Sequence, residues 1–200
     1  MPTRKTPLVN EQYYHIYNRG VARLPTFSAK RDYERFITSL LYYRFNSPPF
    51  KLSRLLNFPK EQQEKILGKI TEINDTKVEI ISFCLMPNHF HLLLRQNIEN
   101  GISIFLKHLT DSYTRYYNTK HKRVGPLFQG AFKAVHIEST EQLLHLSRYI
   151  HLNPLVSYVV TEKRFLDYPW SSLNVFLNGT SSFVNPKIIL EHFRSPKEYF

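Results

Sequence analysis

The segment VEIISFCLMPNHFHLLLR, residues 78–95, decides the fold of this chain. Its first nine residues are almost all apolar, which predicts a strand buried in the protein interior. Pro87 and Asn88 then supply turn chemistry, and the following HFHLLLR predicts a second strand. The segment is therefore a predicted β-hairpin around which the other elements are placed.

The flanking sequence predicts further strands and helices in a regular order. YYHIYN, residues 13–18, has the alternation typical of a strand, whereas residues 102–118 have the spacing of an amphipathic helix. The other predicted elements are a helix from about residue 28 to the prolines at 48–49, a strand over 132–137, and a helix that Ser139 or Thr140 caps and Asn153-Pro154 ends. The order β-α-β-β-α-β-α predicts an α+β fold. We expect an antiparallel sheet with helices packed mainly on one face and a ferredoxin-like or RNA-recognition-like topology.

One stretch between the core elements differs in composition from its surroundings. FPKEQQEKILGKITEIN, residues 58–74, carries charges of both signs and predicts a short helix with solvated faces. We interpret residues 46–78 as a charged helical insertion in a single domain that spans residues 1–173. Residues 174–200 form a predicted C-terminal tail in which no motif indicates a role.

Positive charge is concentrated in two segments of the chain. The formal net charge is +11, and residues 1–31 and 101–136 each contribute +5 of it. Concentrated positive charge is typical of proteins that bind a polyanion such as nucleic acid. The alternative interpretation is a general contribution to solubility.

Several sequence features bear on the cellular compartment. No apolar stretch approaches the roughly 20 residues of a membrane helix, so we expect no membrane partner. The first residues lack the apolar core of a secretory signal, and the single cysteine, Cys84, lies in a predicted buried strand. We therefore expect a cytoplasmic protein with an inert core thiol.

The motif His89-Phe90-His91 is the sharpest candidate for chemistry. Residues two apart on a strand point to the same face, so both imidazoles project together while Phe90 turns into the core. Two convergent imidazoles can hold one divalent metal ion. The other interpretation is a strand that contains two of the nine histidines by chance.

A second candidate is YIHLN, residues 149–153, near the end of the last predicted helix. Tyr149 and Asn153 are four residues apart and share one helical face. The amide oxygen of Asn153 could complete a metal site begun by the two histidines, with the phenol of Tyr149 close by. Spacing alone favours a plainer interpretation, in which Tyr149 packs in the core and Asn153 caps the helix.

Taken together, these residues indicate phosphodiester chemistry. A metal ion on a phosphate oxygen polarises the phosphorus, and a tyrosine hydroxyl can then attack it. Departure of the 3′ oxygen would leave a 5′-phosphotyrosine, so rejoining would need no nucleotide cofactor. The candidate DNA contacts, chosen by their location in the chain, are Arg19, Lys107, Arg115, Lys120, Lys122, Arg123, Lys133 and Arg148.

Several runs of residues resemble the single-tyrosine HUH transposases, and within them the REP-associated tyrosine transposase-like branch. These runs are YYHIYNRG (13–20), DYERFI (32–37), MPNHFHLLL (86–94), PLFQGAFKAVHIES (126–139), RYIHLNPLV (148–156) and YPWSSL (168–173). The resemblance covers about residues 12–173, and the combination of motifs is specific although the histidine pair alone is not.

The resemblance implies a role for each matching position. It implies that His89 and His91 bind the metal, that Asn153 is the third ligand and that Tyr149 is the nucleophile. It also implies an HUH endonuclease core, Mg²⁺ or Mn²⁺ as cofactor, and single-stranded or hairpin DNA as partner. Insertion-sequence relatives are dimers and REP-associated ones tend to be monomers, and we favour a monomer. Residues 46–78 are longer than a compact family core needs, and the Gly-containing N-terminal motif of members that process REP hairpins is absent.

Two other functions remain open from the sequence. One is a non-catalytic nucleic-acid-binding module, which would present stacking aromatic side chains on an RNA-recognition-like sheet. The other is a metal phosphoesterase in which water is the nucleophile and Tyr149 is only structural. A covalent protein–DNA adduct separates the transposase hypothesis from both.

Overall fold

Four antiparallel strands form the sheet of this chain in the computed structural model, which describes residues 7–179 and 183–199. The strands are β1 (Tyr13–Arg19), β2 (Val78–Met86), β3 (His89–Gln96) and β4 (Lys133–Ile137). Their spatial order is β2-β3-β1-β4, so the predicted hairpin of β2 and β3 is joined by β1 on the β3 side. The predicted α+β antiparallel fold is confirmed.

Helices lie on both faces of this sheet. The α-helices are α1 (Lys30–Tyr43), α2 (Leu52–Leu55), α3 (Lys60–Ile73), α4 (Gly101–His121), α5 (Thr140–Val156), α6 (Glu162–Phe165), α7 (Leu173–Asn178) and α8 (Lys187–Leu190). α1 and α4 pack together on one face, where the rings of Phe36 and Phe90 lie 5.2 Å apart. α5 packs on the other face, against β2 and β3. Because β3 is covered on both faces, the successive residues Leu92, Leu93 and Leu94 are all buried.

The last long helix extends beyond the point where the sequence predicts its end. α5 runs through Pro154 to Val156, so the predicted stop at Asn153-Pro154 is wrong. Proline fits helical backbone angles and removes only one backbone donor, and the helix closes with the Ser157 amide donating to the Asn153 carbonyl at 3.0 Å. Asn153 is therefore a helix residue with 4% of its surface exposed rather than a terminal cap. The predicted cap at Ser139 is present, because its hydroxyl accepts from the Gln142 amide.

The insertion and the tail differ in how they pack. The described part of α3, in the insertion at 46–78, contains no fully buried residue. The tail at 174–200, whose residues 180–182 and 200 lie outside the described residues, reaches α5. There Tyr199 is fully buried. Its hydroxyl bonds His151 Nδ1 at 2.8 Å and donates to the Ser147 hydroxyl at 3.0 Å. The tail thus braces the helix that carries Tyr149. In the two described ranges, no helix is long and apolar enough to cross a bilayer.

Tyr199→Phe tests this brace. The substitution keeps the ring but leaves His151 Nδ1 and the Ser147 hydroxyl without their shared partner, so we expect a loss of about 1–3 kcal/mol in the free energy of unfolding. Urea titration followed by circular dichroism measures it. Tyr158→Phe is the matched control, because Tyr158 is 94% exposed. Equal stabilities of the two variants would contradict the brace.

Candidate active site

β3 presents two histidines to the face covered by α5. His89 and His91 lie two residues apart, and their rings meet edge to face with centroids 5.0 Å apart. Phe90 between them points to the opposite face, against Phe36 of α1. His91 is 6% exposed and His89 is half-buried. The alternation of the strand thus places both imidazoles on one side, as the sequence predicts.

A hydrogen bond selects the free nitrogen of His89. Its Nδ1 lies 2.7 Å from Asn88 Oδ1, and the Asn88 amide nitrogen donates to the Arg23 carbonyl. An amide oxygen only accepts, so Nδ1 of His89 carries the proton and Nε2 keeps a lone pair. Burial lowers the pKa of His89, with Arg19 as a second cause, which favours this neutral form.

His91 has a partner from a different strand. Its Nδ1 lies 2.9 Å from Nε2 of His15 on β1, and the two rings are stacked with centroids 5.1 Å apart. Burial lowers the pKa of His91 to about 3 and that of His15 to about 4, so both rings are neutral near pH 7. When Nδ1 of His91 donates to His15, Nε2 of His91 is left as a ligand atom.

α5 adds the phenol and the amide to the same place. The Tyr149 ring stands edge-on to His91, with centroids 5.8 Å apart, and to His15 at 6.2 Å. Tyr149 nevertheless remains 43% exposed, so a substrate can reach it. The Asn153 amide nitrogen donates to the Tyr149 carbonyl at 2.8 Å, which leaves Oδ1 of Asn153 for another partner. The structure therefore brings Tyr149 to the predicted histidine pair, and Asn153 lies one helical turn further along α5.

These side chains offer two imidazole nitrogens and one amide oxygen to a cation. Neutral imidazole and amide oxygen are ligands that Mn²⁺ and Mg²⁺ accept, particularly when phosphate oxygens fill the remaining positions. Among the described residues, no group of three or more His, Cys, Asp or Glu side chains converges as a metal site. The candidate set is not such a group, because its third member is the amide of Asn153.

The predicted DNA contacts separate into groups. Arg19 and Lys133 share the face of the histidines, because they lie opposite His89 and Tyr17 in the sheet register. Lys107 and Arg115 are exposed on α4, whereas Lys122 and Arg123 follow that helix. Two others are engaged within the protein: Lys120 contacts Asp32 at 2.5 Å, and Arg148 Nε donates to the Tyr199 carbonyl. The DNA contacts stay predictions.

Sequence reasoning assigned no role to His15 and only a turn to Asn88. His15 lies 76 residues before His91, so no local spacing connects them. The only available signal was the alternation of β1, which places His15 on one face with Tyr13 and Tyr17.

Comparisons with known proteins bear on the fold and the family of this chain. No curated protein matches the chain. The chain is similar to a solved structure of a REP-associated tyrosine transposase bound to a REP hairpin, with a TM-score of 0.62 and 14% identity over 92% of this chain and 90% of that one. At this identity the likeness shows the fold. A family model described as IS200-like transposase matches residues 53–153. Since this match spans half of the chain, the chain belongs to the IS200-like transposase family.

Proposed function

We propose that the protein is a metal-dependent endonuclease and strand transferase for single-stranded DNA, acting at hairpins through a 5′-phosphotyrosine. The observation that carries the proposal is the contact of the Tyr149 ring with His91, which lies beside His89. An exposed phenol beside two neutral imidazoles suits nucleophilic attack on a metal-bound phosphodiester. The solved relative bound to a REP hairpin supports hairpin DNA as the substrate.

The proposed ligands are Nε2 of His89, Nε2 of His91 and Oδ1 of Asn153. When bound, Mg²⁺ or Mn²⁺ would neutralise charge on a non-bridging phosphate oxygen. Tyr149 supplies the nucleophile: its oxygen forms a bond to phosphorus, the bond from phosphorus to the 3′ oxygen breaks, and a 3′ hydroxyl leaves after taking up a proton. The phenolic proton passes to solvent or a nearby base. Rejoining reverses these steps, because the tyrosine ester retains the energy of the broken bond.

The geometry favours this function over the two alternatives. A binding module would expose aromatic rings on its sheet face, but here α5 packs on the histidine face. A phosphoesterase with a water nucleophile needs no phenol beside the histidines, whereas Tyr149 stands edge-on to both His91 and His15. We further propose a monomer located in the cytoplasm.

One experiment tests the proposal. The protein is incubated with Mn²⁺ and hairpin DNA that carries single-stranded flanks and a 3′-end label, and the products are separated on a denaturing gel. We expect a labelled protein–DNA adduct that disappears after proteolysis. Cleavage without an adduct would indicate the phosphoesterase, and binding without cleavage would indicate the module.

His15 gives a separate prediction about the metal site. In the proposed tautomer Nδ1 of His91 donates to Nε2 of His15, so His15→Ala removes the acceptor that holds Nε2 of His91 free for the metal. We expect Mn²⁺ affinity to fall about 10–100-fold. His15→Gln offers an amide oxygen as acceptor and is expected to retain most of the affinity. Isothermal titration with Mn²⁺ measures both, with His145→Ala on the exposed side of α5 as control. Unchanged affinity in His15→Ala would contradict this role.

A further inference from the structure

A large cavity lies on the other side of the sheet from Tyr149. Its volume is about 1090 Å³, and its walls come from α1, α4 and the segment 46–53 that opens the insertion. On α4 the lining residues recur every three or four positions from His108 to Lys120, so the cavity follows one face of that helix. Over this length the helix rises by roughly 18 Å, enough for an extended ligand.

The charge of the cavity indicates an anionic occupant. Its lining includes Arg31, Arg35, Lys51 and Arg115, none of which forms an ion pair within the described part of the chain. Among the described residues that line the cavity, Asp111 is the one carboxylate. Nε of Arg35 is also buried without a hydrogen-bond partner among the described residues. Unpaired guanidinium groups with free donors are typical of phosphate recognition.

Aromatic side chains in the cavity wall indicate a single-stranded nucleic acid rather than a duplex. Tyr43, Phe50 and Tyr116 line the same cavity, and the guanidinium of Arg35 lies 5.4 Å from the centre of the Tyr116 ring. Stacked bases of a duplex cannot enter between helices, whereas unstacked bases of a single strand can lie on such rings while cations hold the backbone.

A second cavity extends toward the catalytic end of the sheet. It has a volume of about 500 Å³ and shares Asp111 and Arg115 with the first. It ends at Asn18, which precedes Arg19, and Arg19 lies opposite His89 in the sheet register. A strand leaving the histidines would pass the end of the sheet at Asn18 and Arg19 and then follow α4 to the larger cavity.

We propose that the cavity between α1, α4 and residues 46–53 binds a single-stranded DNA segment that flanks the cleaved nucleotide. The inference rests on the proposed function, because it presumes a DNA substrate. The inference gives the insertion a role, because its residues 46–53 would help to hold the DNA strand.

Charge reversal in the cavity tests the inference. Arg31→Glu combined with Lys51→Glu changes two exposed cavity residues, and Lys65→Glu combined with Lys69→Glu makes the same charge change on α3, outside the cavity. Fluorescence anisotropy measures binding of oligo(dT) of about 12 nucleotides and of a blunt duplex. We expect the cavity pair to weaken oligo(dT) binding about tenfold and the control pair less than about threefold, with duplex binding affected equally by both. Equal losses of oligo(dT) binding in the two pairs would overturn the inference. It would also be overturned if the cavity pair lost duplex binding by as large a factor as it lost oligo(dT) binding.

Photocrosslinking of the unmodified protein gives an answer that does not depend on variants. Oligo(dT) containing 5-iododeoxyuridine is irradiated with the protein, and the attached residues are found by mass spectrometry. Adducts at Tyr43, Phe50 or Tyr116 support the cavity, and adducts found only elsewhere overturn it. Neither measurement involves cleavage. Absence of the covalent Tyr149–DNA adduct in the cleavage assay would therefore refute the nuclease proposal alone. Unchanged oligo(dT) binding by the Arg31→Glu and Lys51→Glu pair would refute the cavity inference alone.

Discussion

We expect Tyr149→Phe to abolish the covalent protein–DNA adduct and to lower the cleavage rate by roughly 10⁴-fold or more, because the substitution removes the proposed nucleophile. The substitution removes only the hydroxyl. The ring contacts with His91 and His15 can be retained, so we expect the proposed metal site and the fold to be unchanged. Binding of hairpin DNA and of Mn²⁺ is therefore expected to match the unmodified protein. The measurement is single-turnover cleavage of labelled hairpin DNA, with the adduct resolved on a denaturing gel.

Tyr158→Phe is the matched control for this variant. Tyr158 lies just beyond the end of α5 and is 94% exposed. The Tyr158→Phe variant should therefore form the adduct at the normal rate. Persistence of the adduct in Tyr149→Phe would assign the nucleophile to another residue. Tyr113 and Tyr199 are unsuited to that role, because both are buried and burial raises the pKa of each hydroxyl.

His91→Gln is expected to remove metal-dependent cleavage almost completely, by about 10³-fold, while DNA binding changes by less than about threefold. The imidazole would contribute one of three proposed ligand atoms, whereas Lys and Arg contacts with phosphates do not involve the metal. Glutamine is chosen because His91 is 6% exposed, and a smaller side chain would leave a cavity. The readouts are the Mn²⁺ dependence of cleavage and the Mn²⁺ affinity by titration calorimetry.

Two comparisons support the interpretation of this variant. His89→Ala should have the same effect, because Nε2 of His89 is the neighbouring proposed ligand atom. In the unmodified protein, removal of divalent ions with a chelator should cause the same loss of cleavage as either variant. His145→Ala, exposed on α5, should cleave normally. Normal cleavage by either His89→Ala or His91→Gln would show that the metal assignment is wrong.

The tertiary structure decided several features that no local pattern contains. His15 lies next to His91 only because β1 joins the hairpin on the β3 side, and Tyr149 meets them only because α5 covers that face. The sequence resemblance, rather than spacing, distinguished Tyr149 from the other tyrosines. The end of α5 was predicted too early, because the expectation that proline ends a helix considers only the backbone. In the structure Asn153 and Pro154 are buried, and tertiary packing stabilises the helix beyond Pro154.

The sequence by itself determined the hairpin at residues 78–95 and the shared direction of His89 and His91. Both follow from the two-residue period of a strand, which depends only on neighbouring backbone angles. The pairing of His15 with His91, the approach of Tyr149 and the cavity beside the insertion were decided by tertiary structure. They depend on which elements bury their apolar faces against each other, and that choice depends on residues spread along the whole chain.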